Sequence, residues 1–345
     1  MTVIGSTLNL TKKEIARGQK IYRRITERSQ QDVKYSLLEN IAETPISDTY
    51  LQKRDQLLKS FSEFGVQNIA LKQIKSAKTL RELFASMINF PKVLVKKTFP
   101  KYPASLAKKQ SKPLQVEQEI YKYRNLRTDC VREINTIFSK KSTNPEVIKI
   151  ENILKEKYGV KKILFSDDMI VATKVLEAVK LAKSKGIKIP DEFIVTDFTL
   201  GGGECMRSFK NNKEITTVLL PHTNTKDLYL TKKYNILTDR MMPSNIKETL
   251  NRWKDFCGFK EHSSTSSPLH MEIHEMMHQT HPYLSAFVTK KVPAKFLPIV
   301  RKVSGYSAVN EKNNYEIYTE LATKKVLEWL EPDEAELFKF LGGDI

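Results

Sequence analysis

The chain has 345 residues, with 58 Lys and Arg against 40 Asp and Glu, which gives a net charge of +18. Hydrophobic residues make up 40% of it, including 16 Phe and 13 Tyr, and this content excludes a wholly disordered protein. No apolar run approaches about 18 residues and the three cysteines are widely spaced, so neither a transmembrane helix nor a disulfide framework is expected.

The first third of the chain predicts helices, because its apolar residues recur at three- and four-residue spacing. The predicted helical segments are 10–27, 33–42, 50–64 and 77–87. Residues 91–113 then hold four prolines among lysines, which indicates an exposed connection. We therefore expect an all-helical N-terminal region over residues 1–113 and a second domain over residues 114–345. The N-terminus lacks a basic stretch followed by an apolar core, so a conventional secretory signal is not expected.

The positive charge is concentrated in residues 1–113. This region has 22 Lys and Arg against 9 Asp and Glu, a net charge of +13, and the remainder of the chain carries +5. Such a field attracts acidic partners and is weakened by salt. The partner could be an acidic protein surface, an anionic membrane or nucleic acid. A solvated helical face that only keeps the protein soluble is the alternative.

The pattern changes after residue 113 to helices mixed with strands. The predicted helices are 114–139, 144–158 and 169–182, and the predicted strands are 161–165, 192–198 and 216–220. Gly201, Gly202 and Gly203 lack the spacing of a phosphate-binding loop and indicate a turn or a bulge. This order of elements is typical of an α+β domain.

Residues 274–278 read His-Glu-Met-Met-His and give the strongest indication of function. On a helix, His274 and His278 are one turn apart, so both imidazoles leave the same face. Two neutral imidazoles at that spacing can share a tetrahedral zinc ion at about 2.0–2.1 Å. Glu275 is one step round the helix and can act on water without binding the metal. This pattern is typical of a zinc-dependent hydrolase.

The residues around this motif also favour a zinc helix. Five of the six histidines lie between His262 and His281. Ser267 and Pro268 predict an N-cap and a first helical residue. His281 follows the motif by three residues, and we expect it to support the site rather than bind the metal, because three imidazoles from one straight helix converge poorly.

A third protein ligand is expected further along the chain. Glu316 and Glu320 are spaced i, i+4 on a predicted helix, so both carboxylates can face one way. One of them can bind the metal while the other accepts a hydrogen bond from a ligand histidine.

These motifs resemble the zincin metallopeptidases that use a glutamate ligand, in particular the catalytic domain of anthrax lethal factor and related bacterial toxin-like peptidases. That family pairs HExxH with a downstream tyrosine and then ExxxE, matched here by Tyr306 and by Glu316 to Glu320. The resemblance covers about residues 160–330 and implies a zincin-like fold. It implies Glu316 as the third zinc ligand, Glu320 in support, and Tyr306 as an aid to the oxyanion.

The resemblance implies a soluble, zinc-dependent endopeptidase that is a bacterial effector or toxin and cleaves a host protein. A specialised secretion system would deliver it into the host cytoplasm. It also implies a substrate lying extended along an edge strand, for which Thr216–Leu220 is the candidate. Two alternatives stay open: a nucleic-acid-associated metallopeptidase, indicated by the basic N-terminal region, and a helical binding protein in which HExxH is coincidental or degenerate.

Overall fold

The computed structural model describes residues 43–98, 113–196, 203–210, 213–223, 264–280, 292–304 and 314–343, and the single positions 38, 41 and 307. These residues form helices and one small mixed sheet, so the α+β class predicted from the sequence is confirmed. The chain divides into two compact units. One takes the described residues of Val33–Val171 and Pro190–Thr225, and the other takes Ala172–Ile189 and the described residues from Lys226 onward.

The first unit, here called the sheet unit, has three helices in its described range 43–98. They are α1 (Asp48–Glu63), α2 (Asn68–Ser76) and α3 (Leu80–Thr98). Helix α2 was not predicted from the sequence, although Ala70, Leu71 and Ile74 give it a buried face. Helix α3 continues through Pro91 to Thr98. The prediction of an exposed connection from residue 91 is therefore wrong for residues 91–98.

Helix α4 (Pro113–Phe138) shares one apolar core with α1, α2 and α3. Phe61 of α1 stacks on Phe90 of α3 with 4.6 Å between ring centroids, and both are fully buried. Ile134 and the thiol of Cys130 enter the same core from α4. A division of the chain at residues 113 and 114 would therefore expose apolar surface on α4 to solvent.

Helix α5 (Pro145–Tyr158) shows how local sequence sets its ends. The side chain of Asn144 accepts a hydrogen bond from the backbone N–H of Glu146 at 3.0 Å, and Pro145 occupies the first turn. Gly159 ends the helix with a positive φ of 73°, a conformation that glycine adopts without steric cost. The helix predicted at residues 144–158 is thus confirmed nearly to the residue.

Within the described ranges, the sheet has four strands in the order β1-β2-β4-β3. They are β1 (Lys162–Leu164), β2 (Glu192–Thr196), β3 (Glu204–Lys210) and β4 (Lys213–Pro221). The pairs β1–β2 and β2–β4 are parallel, and β3–β4 is antiparallel. The sequence prediction missed β3. It also chose Thr216–Leu220 as an edge strand, which is wrong, because that segment lies in β4 between two hydrogen-bonded neighbours.

The second unit, here called the histidine unit, is helical in its described part. Helix α6 (Met169–Ser184) enters it from residue 172 onward. It continues with α7 (His270–Met277), a 3-10 turn (Ala294–Phe296), α8 (Leu297–Val303), α9 (Asn314–Val326) and α10 (Pro332–Phe340). None of the described helices is long and apolar enough to cross a bilayer.

Helix α9 is the central helix of the histidine unit, with α7, α8 and α10 packed around it. Nearly all of its residues are buried, including the polar side chains of Thr319, Glu320, Thr323 and Lys324. A buried polar group costs free energy unless it finds a partner. Thr319 donates to the Tyr315 carbonyl at 2.6 Å and Thr323 donates to the Thr319 carbonyl at 2.7 Å.

Lys324 of α9 forms a buried ion pair with Glu334 of α10. The two side chains are only 8% and 4% exposed, so water screens their charges weakly. Glu334 also accepts a hydrogen bond from the backbone N–H of Glu331 at 3.0 Å, which caps the start of α10. The pair therefore fixes the position of α10 on α9.

We predict that Lys324→Met destabilises the protein, because it leaves the Glu334 carboxylate buried without its cation. Removal of one partner from a buried pair costs about 3–5 kcal/mol of unfolding free energy. Urea denaturation with excess EDTA measures this cost without a contribution from bound metal. Lys324→Met/Glu334→Gln removes both charges and should recover most of the loss. A single variant as stable as the wild type would contradict the prediction.

Candidate metal centre

The HExxH motif lies on α7, which begins at His270 rather than at Pro268 as predicted. Ser267 instead closes the turn before the helix. Its hydroxyl accepts from the backbone N–H of Leu269 at 3.2 Å, and its carbonyl accepts from the N–H of His270 at 3.0 Å. The helix is buried along its length, because α9 packs against it.

Three potential ligand atoms converge between α7 and α9. The Nε2 atom of His274 lies 3.6 Å from Oε2 of Glu316, and the Nε2 atom of His278 lies 3.6 Å from the same oxygen. The two imidazole rings meet edge to face, with centroids 4.9 Å apart. One turn of α7 and the first turn of α9 therefore bring two nitrogens and one carboxylate oxygen together.

This donor set fits a divalent transition metal. Atoms that share a tetrahedral zinc ion at about 2.0–2.1 Å lie about 3.3–3.4 Å apart, close to the two 3.6 Å separations in the structure. Oε2 of Glu316 is buried and accepts no hydrogen bond from the described residues, as expected of an oxygen that binds a cation. Two imidazoles and one carboxylate suit zinc and also accommodate other metals of that class.

A hydrogen bond from the second ring nitrogen sets the tautomer of His278. The Oγ1 atom of Thr319 lies 3.1 Å from Nδ1 of His278. Its single hydroxyl hydrogen is already donated to the carbonyl of Tyr315. Thr319 therefore accepts from Nδ1–H, and the lone pair of His278 is left on Nε2, the atom that faces Glu316.

Glu320 lies beside the other ligand histidine. Its Oε1 atom is 3.6 Å from Nδ1 of His274, and the side chain is almost fully buried. The backbone N–H of Ser264 donates to its Oε2 atom at 3.1 Å. Of the two glutamates in ExxxE, Glu316 faces the Nε2 atoms and Glu320 faces the opposite side of the His274 ring.

Burial shifts the pKa values of these groups toward their neutral forms. It lowers the pKa of His274 to about 4. It also lowers the pKa of His278 to about 4, a shift that the nearby Glu316 opposes and that His274 increases. Burial also raises the pKa of Glu316, although His278 offsets part of the effect, and raises that of Glu320 to about 8. Both imidazoles are thus neutral at neutral pH, and a bound dication would favour the ionised carboxylates.

Glu275, the candidate general base, is buried and lies beside the two ligand histidines. One ligand atom from each of His274, Glu275 and His278 lies within 4.8 Å of the others. Glu272, on the same helix, is also fully buried, because α7 is covered along nearly its whole length.

His270 is the site residue that sequence reasoning missed. It starts α7, and its Nε2 atom lies 3.6 Å from Oε2 of Glu320. The signal that could have found it is its position one turn before His274.

Two predicted site residues, Tyr306 and His281, lie outside the described residues. The roles of Tyr306 as an oxyanion donor and of His281 as a supporting residue therefore stay predictions.

Comparisons with known proteins add no relative. No family model matches the chain, and no curated protein and no solved structure matches it either.

We predict that Glu316 binds the metal and that Glu320 only supports it, because only Glu316 faces both Nε2 atoms. Glu316→Ala should abolish stoichiometric zinc binding, whereas Glu320→Ala should weaken it by about 10–100-fold. Competition with a chromophoric chelator measures both affinities. The reverse order, with zinc lost in Glu320→Ala and only weakened in Glu316→Ala, would contradict the assignment.

Proposed function

We propose that the protein is a zinc-dependent endopeptidase whose metal is held by His274, His278 and Glu316. The observation that carries this proposal is the convergence of the two Nε2 atoms on Oε2 of Glu316, each at 3.6 Å. A coincidental HExxH sequence would not require a carboxylate from a helix about 40 residues further on to meet both imidazoles. The geometry therefore favours a working metal site over a degenerate motif.

The chain's own residues divide the chemistry between them. Zinc, when bound, would supply a Lewis acid for water and for the scissile carbonyl. Glu275 removes the proton from the attacking water and later delivers it to the leaving amine. Thr319 and Glu320 keep the ligand rings oriented through their Nδ1 atoms. The resemblance assigns Tyr306 to the developing oxyanion.

Substrate choice and delivery rest on other features. The net charge of +13 in residues 1–113 supports recruitment of a protein substrate with an acidic surface. The resemblance to toxin-like peptidases supports a bacterial effector that acts on a host protein.

The experiment compares wild type with Glu275→Gln in the lysate of a candidate host, with new protein N-termini mapped by mass spectrometry. Wild type should generate discrete N-termini that EDTA abolishes. Glu275→Gln should keep one equivalent of zinc and cleave more slowly by about 10²–10⁴-fold, the usual contribution of a general base.

Glu272→Gln is the matched control. It neutralises a buried glutamate on the same helix that does not belong to the metal cluster, so cleavage should persist. Equal cleavage by wild type and Glu275→Gln would contradict the proposed role of Glu275. A wild-type protein that holds zinc and generates no new N-termini would contradict the peptidase function.

A further inference from the structure

We infer that His270 is a positioning residue of the metal site: it holds the Glu320 carboxylate, which in turn orients His274. The inference rests on the metal site proposed above and adds a residue that lies outside the HExxH and ExxxE motifs. It makes the centre a chain of three side chains, from His270 through Glu320 to His274.

The Glu320 carboxylate lies between two imidazoles and uses a different oxygen for each. Oε1 is 3.6 Å from Nδ1 of His274, and Oε2 is 3.6 Å from Nε2 of His270. The side chain is only 2% exposed, so water does not replace either contact. A rotation of the carboxylate that breaks one contact therefore also breaks the other.

His270 is itself fixed by a hydrogen bond. The Oγ1 atom of Thr265 lies 3.1 Å from Nδ1 of His270 and accepts from the backbone N–H of Ser267 at 3.3 Å. Since Thr265 uses its oxygen to accept from Ser267, its hydroxyl hydrogen can point to Nδ1 of His270. In that arrangement the ring hydrogen of His270 is on Nε2 and faces Glu320.

The segment before α7 also contacts the Oε2 atom of the Glu320 carboxylate. Ser264 donates its backbone N–H to Oε2 of Glu320 at 3.1 Å, so Oε2 is restrained by both Ser264 and His270. Oε1 is left to face Nδ1 of His274. The nearby ammonium of Lys324 is paired with Glu334 and does not replace these contacts.

The same three residues could instead hold a second metal ion, since one ligand atom from each of His270, His274 and Glu320 lies within 4.8 Å of the others. A neutral imidazole has only one nitrogen with a free lone pair. If Nε2 of His274 binds the first ion beside Glu316, its Nδ1 carries the hydrogen and has no lone pair for a second ion; this N–H faces Oε1 of Glu320 at 3.6 Å. The geometry therefore favours one ion and a supporting chain.

The test compares two substitutions at His270 that differ in where they place an amide. Glutamine can place its side-chain nitrogen near the Nε2 position of histidine, whereas the shorter asparagine reaches only the Nδ1 position, where its oxygen can accept from Thr265. Thus His270→Gln keeps a donor for Glu320, and His270→Asn keeps only the contact with Thr265. Zinc affinity, the visible spectrum of the cobalt-substituted protein and the melting temperature of the metal-free protein are measured for both.

His270→Asn should weaken zinc binding by about 10–100-fold, the range found for residues that support metal ligands. It should also shift the cobalt bands while the metal-free protein melts near the wild-type temperature. His270→Gln should restore most of the affinity and the wild-type spectrum. Thr265→Val, which removes the hydroxyl that fixes the ring, should weaken zinc in the same direction, even if His270→Asn folds poorly.

Several outcomes would overturn the inference. Zinc affinity unchanged in His270→Asn, or an equal loss in His270→Gln, would show that the carboxylate does not need this donor. Two zinc equivalents in the wild type that fall to one in His270→Asn would assign a second metal site instead. A wild-type protein that binds no zinc would overturn the proposed metal site together with this inference.

Discussion

The carboxylate of Glu316, whose Oε2 atom is buried, is the constraint on which the site depends, because it joins α7 to α9. Its oxygen faces the Nε2 atoms of His274 and His278, and burial disfavours its charge. An ionised carboxylate in such a place is stable only with a cation beside it. A metal ion would satisfy the glutamate and both imidazoles at once, and we expect metal binding and the packing of the two helices to be coupled.

The composition of α9 follows from this coupling. A helix buried over most of its surface is usually apolar, yet α9 carries Glu316, Thr319, Glu320 and Lys324 within three turns. Each has an assigned partner in the described residues: the ligand imidazoles for Glu316 and Glu320, Nδ1 of His278 for Thr319, and a buried carboxylate for Lys324. Polar groups that would destabilise an ordinary core helix here orient the histidines.

The sequence predicted those parts of the structure that local pattern determines. The helix at residues 144–158 has strong signals at both ends, an asparagine cap and a terminal glycine, and the structure places it there. The i, i+4 spacing of Glu316 and Glu320 predicted a shared helix, which is found as α9. Two short elements were not predicted. Helix α2 has only nine residues, and β3 is specified by its pairing with β4 rather than by its own composition. The role of His270 was not predicted, because its partner, Glu320, is 50 residues away in the chain.

Zinc K-edge X-ray absorption on the wild-type protein with one equivalent of zinc reports the ligands of the metal itself. A first shell of nitrogen and oxygen atoms at about 2.0–2.1 Å is expected. Outer-shell scattering from two imidazole rings, those of His274 and His278, is expected as well, and this ordered shell should be lost in Glu316→Ala. A sulfur atom at about 2.3 Å, or scattering from three imidazoles, would contradict a centre built from two histidines and Glu316.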